Sequence, residues 1–409
     1  VRLAVSKGWA TMQAMGRRDA WLLVGLVVVS AAVRFWRLGE PATQVFDEIY
    51  YARTAREYLL GQPIYEWTHP PLSKLLIALG VQLLGFQPWG WRLLPAAFGT
   101  LLVPALYAFG TLATGRRRVG LAVAALGAVD SMLVVESRIA KPEVFLVTFG
   151  VLAYALGWAA VRTGRWGWLV AAGAAAGAAL ATKWTGVATL ASLAALVVLA
   201  RRAEADRWPW GVVLLSLAVV PAAVYGASYL PHFFRGETVD DLVRLHRNMY
   251  HYHATLEATH PYASKWWSWP LLLRPMWYHY ESAGGWMRGI LAVGNPLVWW
   301  AIIPAVAVTV WRAASSPVYA FTAFGFAASY LPYAFVGRLL FVYHFTPALP
   351  FGYLALAVGL EALRERRPGW VRDYWVAAAL VFLYQLPVLT AYPVPAHWLP
   401  WWAWTRLWI

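Results

Sequence analysis

Apolar residues in this chain are gathered into repeated runs of about 20, each long enough to cross a hydrocarbon core of roughly 30 Å as a helix. Lipid offers no partner to a backbone N–H or C=O, so such runs fold as helices that satisfy their own hydrogen bonds. The expected fold class is therefore an all-α polytopic membrane protein. Composition agrees: 61% of the 409 residues are hydrophobic and 13% charged, where soluble domains carry about a quarter charged. The absence of cysteine excludes disulfide scaffolds, thiol catalysis and thiolate metal sites. An excess of 34 Lys+Arg over 19 Asp+Glu, net +15, would suggest nucleic acid in a soluble domain. Here it is assigned to loops on the cytoplasmic side, and no nucleic-acid partner is expected.

The runs predict eleven spans, at 21–35, 91–112, 119–136, 143–161, 167–182, 185–200, 209–230, 289–311, 317–336, 339–360 and 374–391. Residues 1–20 are mixed and basic, and no small-residue cleavage pattern follows Phe35, so the first run reads as a retained span leaving the cytoplasm. The run Leu72–Phe86 contains Ser73, Lys74 and Gln82 and suits a helix lying along the interface. Charge gives an independent test. With this run interfacial, Arg116–Arg118, Arg162, Arg165, Arg201, Arg202, Arg207, Arg312 and the cluster from Arg364 to Arg372 all face inward; counting it as a span moves them outward, against the positive-inside rule.

Two long segments, 38–90 and 231–288, then face outward with the Trp-rich C-terminal tail. They define two expected modules: 1–230, with the first outer loop, and a four-span module 231–409, with the second. All nine histidines fall on this outer side or at its boundary, so the chemistry is expected there. No internal repeat is evident, which counts against a secondary transporter.

Candidate chemistry lies at the outer junctions. After the first span comes Phe46-Asp47-Glu48, opening a helix on which Asp47, Tyr50, Tyr51 and Thr54 share a face while Glu48 points about 100° away. The plain alternative is a carboxylate capping that helix. Thr68-His69-Pro70-Pro71-Leu72-Ser73-Lys74 fixes His69 and Lys74 at the surface, either toward a phosphate or as a rigid turn with a snorkelling lysine. Glu136-Ser137-Arg138 follows Asp130 on one expected span, and intramembrane carboxylates at about 2.5–3.5 kcal/mol each tend to be functional. Lys183-Trp184 joins two further spans, and Arg338 and His344 lie near the last outer surface. His251-x-His253 invites a metal reading, but no carboxylate cluster accompanies it, and no metal is expected.

These motifs, in order, resemble the protein O-mannosyltransferase family, membrane enzymes of the GT-C superfamily. The resemblance rests on Phe46-Asp47-Glu48, His69-Pro70-Pro71-Leu72-Ser73-Lys74, Glu136-Ser137-Arg138 and Lys183-Trp184-Thr185-Gly186. It continues through Tyr250-His251, Thr259-His260-Pro261-Tyr262-Ala263-Ser264-Lys265, Trp269-Pro270, Arg274-Pro275 and Arg338 to Tyr343-His344-Phe345-Thr346-Pro347. It departs at Lys141-Pro142-Glu143, where the family usually has an apolar stretch and an aspartate, and 231–288 has no room for a large lumenal domain. Both departures suggest a bacterial-type member.

The resemblance implies a GT-C fold, a polyprenyl-phosphate-mannose donor and Ser/Thr hydroxyls of secreted or membrane proteins as acceptors, with the protein translocation machinery as a further partner. It implies no cofactor. On it, Asp47 is the expected general base and Glu48 orients acceptor or sugar. Arg138 and Arg338 are the guanidinium forks for phosphate, supported by Lys183, His69 and His344. Two rivals remain: a GT-C transferase of another sugar or to a lipid or glycan, and a lipid-linked sugar transporter, which leaves Asp47 without a role.

Sidedness can be tested directly, because the chain has no native cysteine. A cysteine at Gln62 is expected to react with an impermeant thiol reagent from outside the cell and one at Arg117 to be protected; the reverse labelling overturns the topology.

Overall fold

The computed structural model of the chain describes residues 16–204, 207–404 and 408. The remainder of the expected cytoplasmic segment, 1–15, lies outside the described residues. Among the described residues, five helices are long and apolar enough to cross a membrane: Pro88–Thr114, Glu143–Thr163, Trp184–Ala203, Trp210–Phe234 and Val342–Arg366. Leu72–Leu84, Trp166–Thr182 and Pro296–Trp311 are shorter apolar helices.

The first half begins with α1 (Arg17–Phe35), then two helices of the first long loop, α2 (Glu48–Leu60) and α3 (Leu72–Leu84). Pro71 sits at the cap of α3, where proline does no harm. Then come α4 (Pro88–Thr114), α5 (Arg117–Ala128), α6 (Ser131–Glu136), α7 (Glu143–Thr163), α8 (Trp166–Thr182) and α9 (Val187–Ala203). The expected span 119–136 is broken in two at Asp130, whose carboxylate accepts the Leu133 N–H at 3.0 Å and caps α6. Its other oxygen accepts Trp299 Nε1 at 2.6 Å. Asp130 thus caps α6 and ties it to Trp299.

The stretch from Trp210 to Phe234 is helical in three pieces, α10 (Trp210–Leu214), α11 (Val220–Ala227) and α12 (Leu230–Phe234), with a π turn at Leu215–Val219. It packs tightly on α8 through Gly173 and Gly177: a Cβ on Gly173 would lie 1.9 Å from the Ser216 carbonyl oxygen, and one on Gly177 2.7 Å from Pro221 Cα. Small residues four apart allow this backbone approach where lipid provides no hydrophobic drive.

The second half contains α13 (Val239–Thr255), α14 (Pro296–Trp311), α15 (Pro317–Tyr330), α16 (Leu349–Arg366) and α17 (Pro368–Gln385). It also corrects the all-α expectation. A three-stranded antiparallel sheet forms from β1 (Met276–Ala283), β2 (Trp286–Ala292) and β3 (Val394–Pro395). Ala283 pairs with Trp286 across Gly284 and Gly285, both at positive φ (58° and 80°), as a two-residue hairpin turn requires. Aromatic residues on either side favour the pleated surface. The hairpin takes the first residues of the expected span 289–311, so its helix starts only at Pro296, capped by Asn295.

The first long loop is pinned by a buried ion pair. Arg92 of α4 donates from Nε and Nη2 to the two Glu48 oxygens, each at 2.8 Å, with both side chains out of solvent. Glu48 also accepts the backbone N–H groups of Val45 (3.1 Å) and Ala140 (2.9 Å). The remaining Arg92 hydrogens go to the carbonyls of Leu38, Pro41 and Thr43. Breaking one partner of a buried pair costs about 3–5 kcal/mol. Glu48→Gln and Arg92→Met are therefore each expected to lower the thermal-unfolding midpoint strongly, and the double variant to lose less than the sum; additive losses would show that the pair is not coupled.

Candidate active site

Asp47 is the N-cap residue of α2, yet its side chain caps nothing; only its carbonyl accepts, from Tyr50 and Tyr51. The residue before it explains why. Phe46 lies at φ 47°, a left-handed conformation that costs a non-glycine residue roughly 1–3 kcal/mol. Its ring is held by stacking on Tyr278 at 4.5 Å and by edge contacts with Phe341 and Tyr343. The turn thus diverts the Asp47 carboxylate from the helix end to the wall of a cavity of about 640 Å³.

Tyr50, Tyr51, Glu66, His69, Glu143, Lys183, Arg338, Tyr343 and His344 share that cavity with Asp47. Five of the seven expected site residues are therefore brought together: Asp47, His69, Lys183, Arg338 and His344. The shared helix face holds for Asp47, Tyr50 and Tyr51, while Thr54 is buried below it, bonding Glu57 and the Glu66 N–H.

Glu48 and Arg138 stand elsewhere. Glu48 is 0% exposed and wholly engaged with Arg92 and backbone N–H groups. It orients the loop that carries Asp47, and the expected contact with acceptor or sugar is not made from this position. Arg138 is 4% exposed. Its Nη1 donates to the carbonyls of Val33, Arg34 and Trp36, each at 2.8 Å, and Nη2 to Arg37 at 3.3 Å. A cation on the carbonyl end of a helix is a C-terminal cap. The planar fork expected to take phosphate grips the end of α1 instead.

Two charged networks wall the cavity. In one, Glu66 accepts Lys74 Nζ at 2.6 Å and contacts His69 Nδ1 at 3.1 Å. Burial alone would raise the Glu66 carboxyl, but Lys74 and His69 outweigh it and hold it well below the carboxylate range. Lys74 also donates to the Glu66 and His69 carbonyls, so it neither snorkels nor reaches a phosphate. His69 Nδ1 meets Tyr51 Oη at 3.1 Å as well, and burial keeps this imidazole below its ordinary pKa.

The other network alternates in sign. Glu136 contacts Lys141 at 3.2 Å, Lys141 lies 3.7 Å from Glu143, and Glu143 accepts Lys183 Nζ at 2.9 Å. Lys141 Nζ sits 3.6 Å from the centre of the Tyr343 ring, a cation–π contact. Glu143, from the tripeptide where the sequence departs from the family pattern, thus faces the cavity. His344 is fixed by Nδ1 contacts with the Phe341 backbone and stacks on Tyr343 at 4.6 Å.

Asp47 and Arg338 differ from these groups. No hydrogen bond or ion pair engages either side chain among the described residues. Burial raises the Asp47 carboxyl to about 6; Glu143 and Glu66 push the same way, and Lys141 and Lys183 oppose. Arg338 also lines a second cavity, of about 800 Å³, with Lys265, Trp266 and Trp267. His253 Nε2 contacts the Thr68 carbonyl at 2.7 Å while His251 is exposed.

Sequence reasoning passed over Glu66, met His253 only as half of a rejected metal motif, and met Glu143 only as a departure. Glu66 had one usable signal, an acidic residue three before His69 on the same long loop.

The family model of dolichyl-phosphate-mannose–protein mannosyltransferases matches residues 24–91 and 87–235, just over half the chain. The chain belongs to this family. A model of the C-terminal four-transmembrane region of protein O-mannosyltransferases matches residues 238–318. The polyprenol-phosphate-mannose–protein mannosyltransferase of Mycolicibacterium smegmatis is 27% identical, covering 95% of this chain and 94% of its own. Its counterpart in Mycobacterium tuberculosis is 28% identical over 95% and 93%. In structure, the chain resembles the Saccharomyces cerevisiae protein O-mannosyltransferase Pmt1–Pmt2 complex bound to the sugar donor, with TM-score 0.86, 16% identity and coverage of 97% and 93%. ArnT from Cupriavidus metallidurans bound to undecaprenyl phosphate shares the fold more loosely, with TM-score 0.62, 18% identity and coverage of 91% and 74%. The chain thus shares a mostly helical membrane fold with these structures, where the sequence suggested an all-α one.

The two arginines separate experimentally. Arg138→Ala removes several hydrogen bonds of a charged donor, each worth about 1.5–3 kcal/mol, and is expected to lower the thermal-unfolding midpoint markedly. Arg338→Ala, which loses no hydrogen bond or ion pair among the described residues, is expected to stay within about 0.5 kcal/mol of the parent. Equal midpoints for the two variants would contradict these placements.

Proposed function

We propose that the chain is a protein O-mannosyltransferase that moves mannose from a polyprenol phosphate to a Ser or Thr hydroxyl of an exported protein, at the outer face of the cell membrane. The observation that carries this reading is that one cavity is lined by a carboxylate raised to about 6 and by a guanidinium, neither engaged by a hydrogen bond or ion pair among the described residues. One suits a general base near neutral pH, the other a phosphate. The eleven-span topology, with the N-terminus cytoplasmic and the site outside, belongs to the same proposal, as does the division at 230/231.

In the reaction, Asp47 accepts the acceptor hydroxyl's proton as its oxygen attacks the anomeric carbon. The bond from that carbon to the phosphate oxygen breaks with inversion, and polyprenyl phosphate leaves. The donor phosphodiester carries one negative charge, and the departing monoester gains a second. Cations beside it therefore bind the transition state better than the ground state. Arg338 is the primary phosphate ligand and Lys183, oriented by Glu143, the second, with His344 beside them. His69 takes a different part: the Glu66 carboxylate on Nδ1 favours the Nδ1–H tautomer, leaving the Nε2 lone pair for a hydroxyl of sugar or acceptor. Purified protein given radiolabelled polyprenyl-phosphate mannose and a Ser/Thr-rich peptide should label the peptide. Label passing only to an added lipid or glycan would sink the protein-acceptor reading.

Asp47→Asn is expected to cut transfer on the order of 10²-fold or more while donor binding persists. Because the ionised carboxylate is the base, kcat/KM of the parent should fall as pH drops through about 6, and that acid limb should be missing from the Asn variant. Near-normal turnover in Asp47→Asn, or an unchanged limb, would remove Asp47 from the chemistry.

A further inference from the structure

At the end of the bundle opposite the candidate active site, a groove of about 920 Å³ opens between α1, α5, α16 and α17. The placement follows from the helices themselves. α16 begins just after His344 at the active-site end, and Arg364, in its last turn, lies roughly 20 Å along its axis at 1.5 Å per residue. α1 likewise runs from Arg18, in its first turn, to the end held by Arg138.

The groove has an apolar trough and a charged rim. Leu, Val and Ala side chains line the trough around Gly25, where an added Cβ would meet nothing within 4 Å. Arg18, Arg118 and Arg364 line the rim with Trp21 and Trp375. Two carboxylates share it, Asp19 and Glu361. Glu361 is already committed, taking Arg364 Nε and Nη2 at 2.8 Å each. Arg18 and Arg118 make no hydrogen bond or ion pair among the described residues, and Arg116 adds its field to the same rim.

We propose that this groove binds one anionic glycerophospholipid of the leaflet opposite the active site. An acyl chain lies along Gly25, and the phosphate sits between Arg18 and Arg118. A soluble anion would leave the apolar trough unexplained, and a zwitterionic headgroup would bring its own cation against the guanidiniums. Charge complementarity therefore selects the anionic lipid, and the Trp21 and Trp375 indoles lining the groove are the ring type enriched at membrane interfaces.

Native mass spectrometry of the full chain, released from nanodiscs with equal phosphatidylglycerol and phosphatidylcholine, tests this. The parent is expected to retain phosphatidylglycerol over phosphatidylcholine by at least about tenfold. The Arg18→Gln/Arg118→Gln variant should lose that preference. Gly25→Leu keeps both guanidiniums but fills the trough, and should lose bound lipid of either kind. Equal retention of the two lipids by the parent, or undiminished phosphatidylglycerol on Gly25→Leu, overturns the proposal. So does displacement by soluble glycerol phosphate, which would make the rim a simple anion site. Preferential retention of polyprenyl phosphate over phosphatidylglycerol when both are supplied overturns it as well, by assigning the groove to the carrier lipid.

Discussion

The bidentate pair between Glu48 and Arg92 is the interaction on which the site depends, although neither residue lines the cavity. Arg92 belongs to a helix that spans the membrane and Glu48 to a short helix outside it, so the pair sets the height and rotation of α2 against the bundle. Through the Ala140 N–H the same carboxylate holds the turn that delivers Lys141 and Glu143. Its neighbour Asp47 is thereby presented to the cavity without a bond of its own. A buried ion pair is poor evidence of net stability, since an apolar replacement often does as well. What it supplies here is a fixed loop geometry that an apolar contact could satisfy in several registers.

The electrostatics of the cavity follow a division of labour. Glu66 with Lys74, and Glu143 with Lys141 and Lys183, neutralise one another at 2.6–3.7 Å. Such pairs keep buried charge tolerable and make rigid walls. Asp47 and Arg338 are left outside the pairing. An ionised carboxylate with no partner is costly to bury, and the rise of Asp47 to about 6 expresses that cost. A carboxylate bonded as Glu66 is would be too weak a base, and a guanidinium placed as Arg138 is has its Nη groups turned onto the end of α1 rather than toward the cavity.

This also explains how much of the molecule was legible in the sequence. The apolar runs reported helices, and the distribution of arginines and histidines separated two ends of the bundle, which is why Asp47, His69, Lys183, Arg338 and His344 could be nominated together. The Gly284-Gly285 turn between aromatic stretches was a readable hairpin signal, hidden by the apolar run that continues from it. Glu48 and Arg138 could not be sorted from true cavity residues. Their partners are Arg92, 44 residues away, and the carbonyls of residues 33–37, about 100 residues away. A motif reports which side chain is chemically capable; only tertiary contacts report whether that capability is already consumed.

Arg338 gains its significance from lying on the walls of two cavities at once, one shared with Asp47 and the other with Lys265, Trp266 and Trp267. An inverting displacement requires the attacking oxygen and the leaving oxygen to approach the anomeric carbon from opposite faces. In the proposed reaction a phosphate held by Arg338 stands at the junction of the cavities, with the sugar extending toward Asp47 and the isoprenoid away from it. Had the guanidinium faced the Asp47 cavity alone, donor and acceptor would have had to enter through one opening, and product lipid would have had to leave past the glycosylated peptide. In the proposed reaction, two cavities that share this cation give the lipid and the protein acceptor separate routes, which is what a transfer from a membrane-bound donor to an aqueous acceptor demands.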